Sequence, residues 1–214
     1  MLLAKEGNLA GALALVDSLE PKTSDDLLQV ILSKGEYLRQ SGRYEEAFEV
    51  LTTGASHVAP EPELFNLYAS VANQIGRYDA AENATRAVIA IAPGDSRAYN
   101  NLSFWLAERN IRLEEALLLA SKALEIAPDD AYVMDTMGYV QYRLGNFNAA
   151  EVYLRRSNSL LQRPEVALHL AEVLLQKGER EEAQKLLREA SVKAESTVNN
   201  DQLRHKIERL QLSL

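Results

Sequence analysis

Near its C-terminal end the chain carries an amphipathic stripe. Leu203, Ile207 and Leu210 share one side of a helix expected over about 200–212, and Arg204, Lys206, Glu208 and Arg209 take the other sides. Upstream, the apolar stretches are interrupted at regular intervals by the same marks. A glycine followed two positions later by an apolar or aromatic residue occurs at Gly7, Gly42, Gly76 and Gly145, Gly178 opens a polar version of the same turn, and Asn110 fills the remaining gap. These six residues stand 35, 34, 34, 35 and 33 positions apart. Glycine closes a helix in the left-handed conformation without steric cost, and Asn is the side chain best able to replace it there.

Each mark is expected to end a first helix of about four turns. A second helix follows, often with acids in its first turn, as in Glu45-Glu46, Glu114-Glu115 and Glu181-Glu182, where carboxylates meet the positive helix end. It ends near Pro60, Pro93, Pro128 and Pro164, because proline cannot continue a helix and pushes its predecessor out of the α region. Five positions after the mark comes alanine, at Ala12, Ala47, Ala81, Ala150 and Ala183, and at Ala116 once one residue is inserted after Asn110. Small residues at Gly35, Ala69, Ser103, Gly138 and Ala171 occupy the matching place in the first helix. Two helices cross closely only where side chains are small, so the two sets are expected to face each other.

This arrangement resembles the tetratricopeptide repeat, whose pattern is W-x2-L-G-x2-Y, then A-x3-F, then P over 34 residues. The fifth unit reads Met134, Met137, Gly138, Gln141, Ala150, Leu154, and the third Phe65, Tyr68, Ala69, Ala72, Ala81, Thr85, Pro93. The resemblance implies an all-α, right-handed solenoid of antiparallel helix pairs. It covers nearly the whole chain as a single domain: a half repeat at 1–22, repeats at about 28–61, 62–95, 96–130, 131–163 and 164–196, and a C-terminal capping helix at about 200–212. Because the pattern starts inside a helix pair, the chain reads as a piece of a longer protein.

In such a stack the first helices line the concave side, and the family geometry names their groove-facing places. The candidates for a peptide-binding groove are Arg39, Asn66, Ser70, Asn73, Arg97, Asn100, Phe104, Tyr132, Asp135, Tyr139, Tyr142 and Arg143. Amides offer both donor and acceptor to an extended backbone, while the aromatics at 104, 132, 139 and 142 offer apolar faces, three of them with polar tips. Family members that clamp a C-terminal carboxylate use lysines and an asparagine for it. With few bases in the groove places, Arg97 and Arg143 among them, this chain is not expected to do so.

Composition narrows the function. With 47% hydrophobic and 25% charged residues the chain is a folded protein, its 31 acids against 23 bases, for a net charge of −8, argue against nucleic acid and a membrane-surface role, and no apolar run approaches the roughly 18 residues needed to span a bilayer, so direct membrane insertion is not expected. There is no cysteine. His57, His169 and His205 fall in different units without metal-ligand spacing, so no metal, no cofactor and no catalytic residue is expected, and all three histidines read as structural. The acid pairs read as caps and solvated faces.

The expected activity is therefore non-catalytic: a scaffold or adaptor that binds a protein or peptide partner. Two alternatives stay open, a self-assembling scaffold joined through an uncapped N-terminal edge and the regulatory arm of an enzyme whose catalytic domain lies elsewhere. Strings such as Tyr99-Asn100-Asn101-Leu102 and Asp135-Thr136-Met137-Gly138-Tyr139 resemble bacterial members of the family, including envelope lipoproteins. That resemblance favours a periplasmic or outer-membrane-associated location over a cytoplasmic one.

Overall fold

The turn residues share one conformation in the computed structural model, which describes residues 8–195 and 201–212. Gly42, Gly76, Gly145 and Gly178 have φ of 73°, 75°, 81° and 80°, and Asn110 joins them at 56°. After each, the next amide reaches back to the same place in the preceding helix: Arg43 to the Leu38 carbonyl, Arg77 to Ala72, Ile111 to Leu106, Asn146 to Gln141 and Glu179 to Leu174, at 2.8–3.0 Å. This is the Schellman cap, which satisfies carbonyls that a helix end leaves open. Gly7 lies outside the described residues.

Twelve helices are present among the described residues: α1 (Leu9–Asp17), α2 (Ser24–Gln40), α3 (Tyr44–Ala55), α4 (Pro62–Gln74), α5 (Tyr78–Ile91), α6 (Ser96–Glu108), α7 (Leu113–Ile126), α8 (Ala131–Arg143), α9 (Phe147–Leu161), α10 (Pro164–Gln176), α11 (Arg180–Glu195) and α12 (Asp201–Leu212). The C-terminal helix thus falls where its apolar stripe places it. Two boundaries are set by local chemistry that the repeat count does not capture. Helix α2 starts at Ser24, ahead of the expected repeat edge at 28, because Thr23 and Asp26 form a reciprocal capping box. Pro164 closes no helix: α9 stops at Leu161 with Gln162 in the left-handed region at φ 49°, and the proline opens α10, where its missing N–H costs nothing. The residue inserted after Asn110 is taken up by Arg112, itself left-handed at φ 47°.

The helices form two compact units that divide between Ala98 and Tyr99. In the first, α1 to α5 each pack on the next, and α2 also touches α4. Ala12, Val16, Ile31, Leu38, Ala47, Leu51, Leu64 and Val71 fill its core. In the second, α7 to α12 pack in the same order, with α8 touching α10. Leu154, Leu168, Leu170, Leu174, Leu187 and Ile207 are buried there, the last of these on α12. First helices of successive repeats therefore meet each other in both units.

Two of the small pairs, Gly138 with Ala150 and Ser103 with Ala116, come into direct contact, and Gly35 leaves room for Leu51. A Cβ added at Gly35 would stand 2.7 Å from Leu51, and one at Gly138 would stand 2.6 Å from Leu154 and 3.1 Å from the Ala150 carbonyl. Ser103 uses the same closeness to donate to the Ala116 carbonyl at 2.7 Å. A second buried serine, Ser157, ties α9 to α8 by donating to the Ala131 carbonyl at 2.7 Å. Both hydroxyls satisfy backbone acceptors away from water.

Candidate functional site

Of the first-helix candidates in the N-terminal unit, the two arginines are already neutralised. Arg39 donates to Glu36 through two nitrogens at 2.8 and 2.7 Å, and Arg97 holds Asp95 in the same forked manner at 3.0 Å. Arg97 also keeps the Asp95 carboxyl below the usual carboxylate range. Asn66 donates to Asp95 at 3.2 Å, so this amide is engaged as well. Ser70 is exposed and Asn73 half-buried on α4.

In the C-terminal unit the candidates converge. The α6 ring Phe104 lies 5.5 Å from Tyr139 on α8, and Tyr139 lies 6.1 Å from Tyr142, whose ring is in turn 6.1 Å from Phe147. Arg143 donates to the Tyr139 hydroxyl at 3.1 Å, and its guanidinium carbon is 5.8 Å from the ring centroid. Tyr139 is only 8% exposed, so it forms the floor, and the half-buried Phe104 and Tyr142 carry the accessible aromatic surface. Burial pushes both tyrosine hydroxyls up from their ordinary range, with Glu172 adding to the effect on each.

Two candidates stand differently. Tyr132, 52% exposed in the first turn of α8, accepts a hydrogen bond from Arg163 at 3.3 Å and has that guanidinium 5.8 Å from its ring. Asn100 lies one turn before Phe104, but its Oδ1 is buried and meets no donor among the described residues. An unmet buried acceptor is costly, and here it does not look out to solvent.

The residue that completes the cluster is His169 on α10. Its ring is 4.5 Å from Tyr139 and 6.2 Å from Phe104, and its Nδ1 is 3.0 Å from the Asp135 carboxylate. Both side chains of this ion pair are largely covered, at 13% and 14% exposure. Burial by itself would lower the His169 pKa. The Asp135 charge and hydrogen bond outweigh it, and the net direction is upward. On the same helix, one turn further on, Glu172 is pushed up by burial in spite of His169, Lys206 and Arg143.

The sequence treats the histidines one at a time and so misses His169. The signal was present: Asp135 and His169 are 34 residues apart, one repeat period, and that spacing sets side chains of neighbouring first helices side by side. Together these residues bring aromatic faces, hydrogen-bonding tips and the covered Asp135–His169 pair into one cluster. Among the described residues no group of three or more His, Asp or Glu side chains comes together to hold a metal ion. No described helix is long and apolar enough to cross a membrane.

Comparison with known proteins agrees with this architecture. A family model described as tetratricopeptide repeat matches residues 8–195. The TPR repeat-containing protein PA4667 of Pseudomonas aeruginosa is 32% identical over 171 residues, which is 80% of this chain and 29% of that protein, so the chain spans less than a third of its length. Among solved structures, the thermophilic TPR protein TTC0263 of Thermus thermophilus superposes with a TM-score of 0.73 at 26% identity, covering 87% of this chain and 99% of that one. A tetratricopeptide repeat protein from Parabacteroides merdae superposes at 0.79 with 18% identity, covering 98% and 83% of the two chains, a likeness of fold. With the repeat period, the left-handed turns and the paired small residues in place, the chain belongs to the tetratricopeptide-repeat family.

Proposed function

We propose that this chain is a non-catalytic adaptor that holds a peptide or protein segment against its first helices. The observation that supports the reading best is the surface of the C-terminal unit formed by Phe104, Tyr142 and Arg143 over Tyr139 and the Asp135–His169 pair. Aromatic side chains with polar tips supply much contact area at little entropic cost, and the buried ion pair holds their floor still. Folds of this family mediate protein–protein contacts in general. The groove function is the specific form assigned to this chain.

Site-specific photo-crosslinking tests it. A benzophenone side chain placed at Tyr142 or Ser70 should form adducts with the partner in extracts of the source cells, and one placed at the outward-facing Leu118 or Val152 should not. Those two residues are 72% and 68% exposed, so access is no obstacle there. Adducts confined to 118 and 152 would overturn the groove function.

A further inference from the structure

The carboxylates of the C-terminal unit differ in how well they are matched. Asp135 is held by His169, Glu165 by Arg163, and Glu151 by both Arg155 and Lys177. Among the described residues Glu172 has no such partner: it forms no hydrogen bond and no ion pair with them, although it is partly buried. The cations that feel its charge are His169, Lys206 and Arg143. His169 is turned to Asp135, Arg143 donates to the Tyr139 hydroxyl and makes no hydrogen bond to Glu172, and Lys206 is exposed on α12. A carboxylate withdrawn from water without a donor is expensive, so the site gains when a donor arrives.

What surrounds Glu172 specifies the donor. Glu172 lies one turn after His169 on α10, and its charge acts on both Tyr139 and Tyr142, while Glu108, one turn after Phe104 on α6, acts on Tyr139. Glu108 is exposed and has no ion pair among the described residues either. Two carboxylates, each one turn from a ring of the cluster, thus accompany the aromatic floor in a chain whose net charge is −8. Ring faces attract cations, and the long stems of lysine and arginine lie along apolar surface while their heads reach polar partners. A neutral backbone N–H would supply one hydrogen bond and none of the charge.

We infer that the C-terminal unit receives a basic segment of its partner, a lysine or arginine whose stem crosses Tyr142 and Phe104 and whose head is bound by Glu172 with Glu108 beside it. The inference rests on the groove function above and adds the charge of what the groove takes.

A phage-displayed library of random linear dodecapeptides, selected against the whole chain, provides the probe. Recovered peptides should share a lysine or arginine, and synthetic copies should compete with crosslinking at position 142. Exchanging that residue for norleucine, which keeps most of the stem and removes the charge, should weaken binding to the wild-type chain about tenfold, as expected for a charge-assisted hydrogen bond. In Glu172→Gln, checked for unchanged helicity, the norleucine penalty should fall below about twofold by the same reasoning. Glu108→Gln, at an exposed position, should reduce it less. The Glu172 carboxyl, followed by carbon NMR, should titrate lower with the lysine peptide bound and not with its norleucine copy. Peptides that compete at 142 without a basic residue, or a norleucine penalty untouched by Glu172→Gln, overturn the inference and leave the groove function standing. Recovery of no peptide that competes at 142 removes both.

Discussion

At the scale of single residues, two features decide most: who occupies a left-handed turn, and who faces whom at one repeat's distance. Asn110 sits at φ 56° where its four counterparts are glycine. Asn110→Gly should raise stability by up to about 1 kcal/mol, while Gly76→Ala should lower it by about 1 kcal/mol or more, because only the second places a Cβ in a conformation it resists. Urea melts with an unchanged slope would measure both. His169 provides the second case. Its pKa is raised above the ordinary 6.5, so the stability it contributes is fully present below that value and is lost as pH rises through the folded-state pKa. Proton NMR should find the His169 midpoint above those of free histidine, and Asp135→Asn should bring it down; an unshifted midpoint in the wild type would contradict the pairing. Glu172, also raised, works in the same sense in its own lower window.

At the scale of elements, helix starts and helix crossings carry the energy. Thr23 opens α2 with a capping box, so Thr23→Ala should cost about 1 kcal/mol and speed amide exchange in the first turn of that helix alone. The α8–α9 crossing depends on Ser157 and on Gly138. Ser157→Ala removes a buried hydrogen bond to the Ala131 carbonyl, which keeps its own helical donor, and should cost about 0.5–1.5 kcal/mol. Much of this layer is readable in the amino acids. The turn glycines, Asn110, the alanines and their small partners occur at the right places because they meet steric demands that recur in every pair. The start of α2 and the role of Pro164 were harder to read, since the four-residue cap and the proline act through local geometry that a 34-residue period ignores.

At the scale of the whole molecule, stability in a repeat array passes between neighbours. Ile207 is fully buried on α12 and belongs to the core of α10 and α11. Ile207→Ala should cost about 2–5 kcal/mol and loosen α10 to α12 in hydrogen exchange, while amides of α2 to α5 keep their protection. Uniform loosening of the entire chain would show that the repeats are not coupled locally.

The amino-acid sequence by itself determined the helix pairs, their turns and their close crossings, because each depends on one residue's backbone freedom or volume, repeated at a constant interval. It also marked Phe104, Tyr139 and Tyr142 through their places in the first helix. Only the tertiary structure decided that Tyr139 is floor and Tyr142 is surface, that Asn100 turns its oxygen inward, that His169 grips Asp135, and that Glu172 makes no ion pair among the described residues. Those outcomes depend on which side chains from three different helices reach the same few ångströms, and burial and charge pairing are settled there, beyond what any one helix can specify.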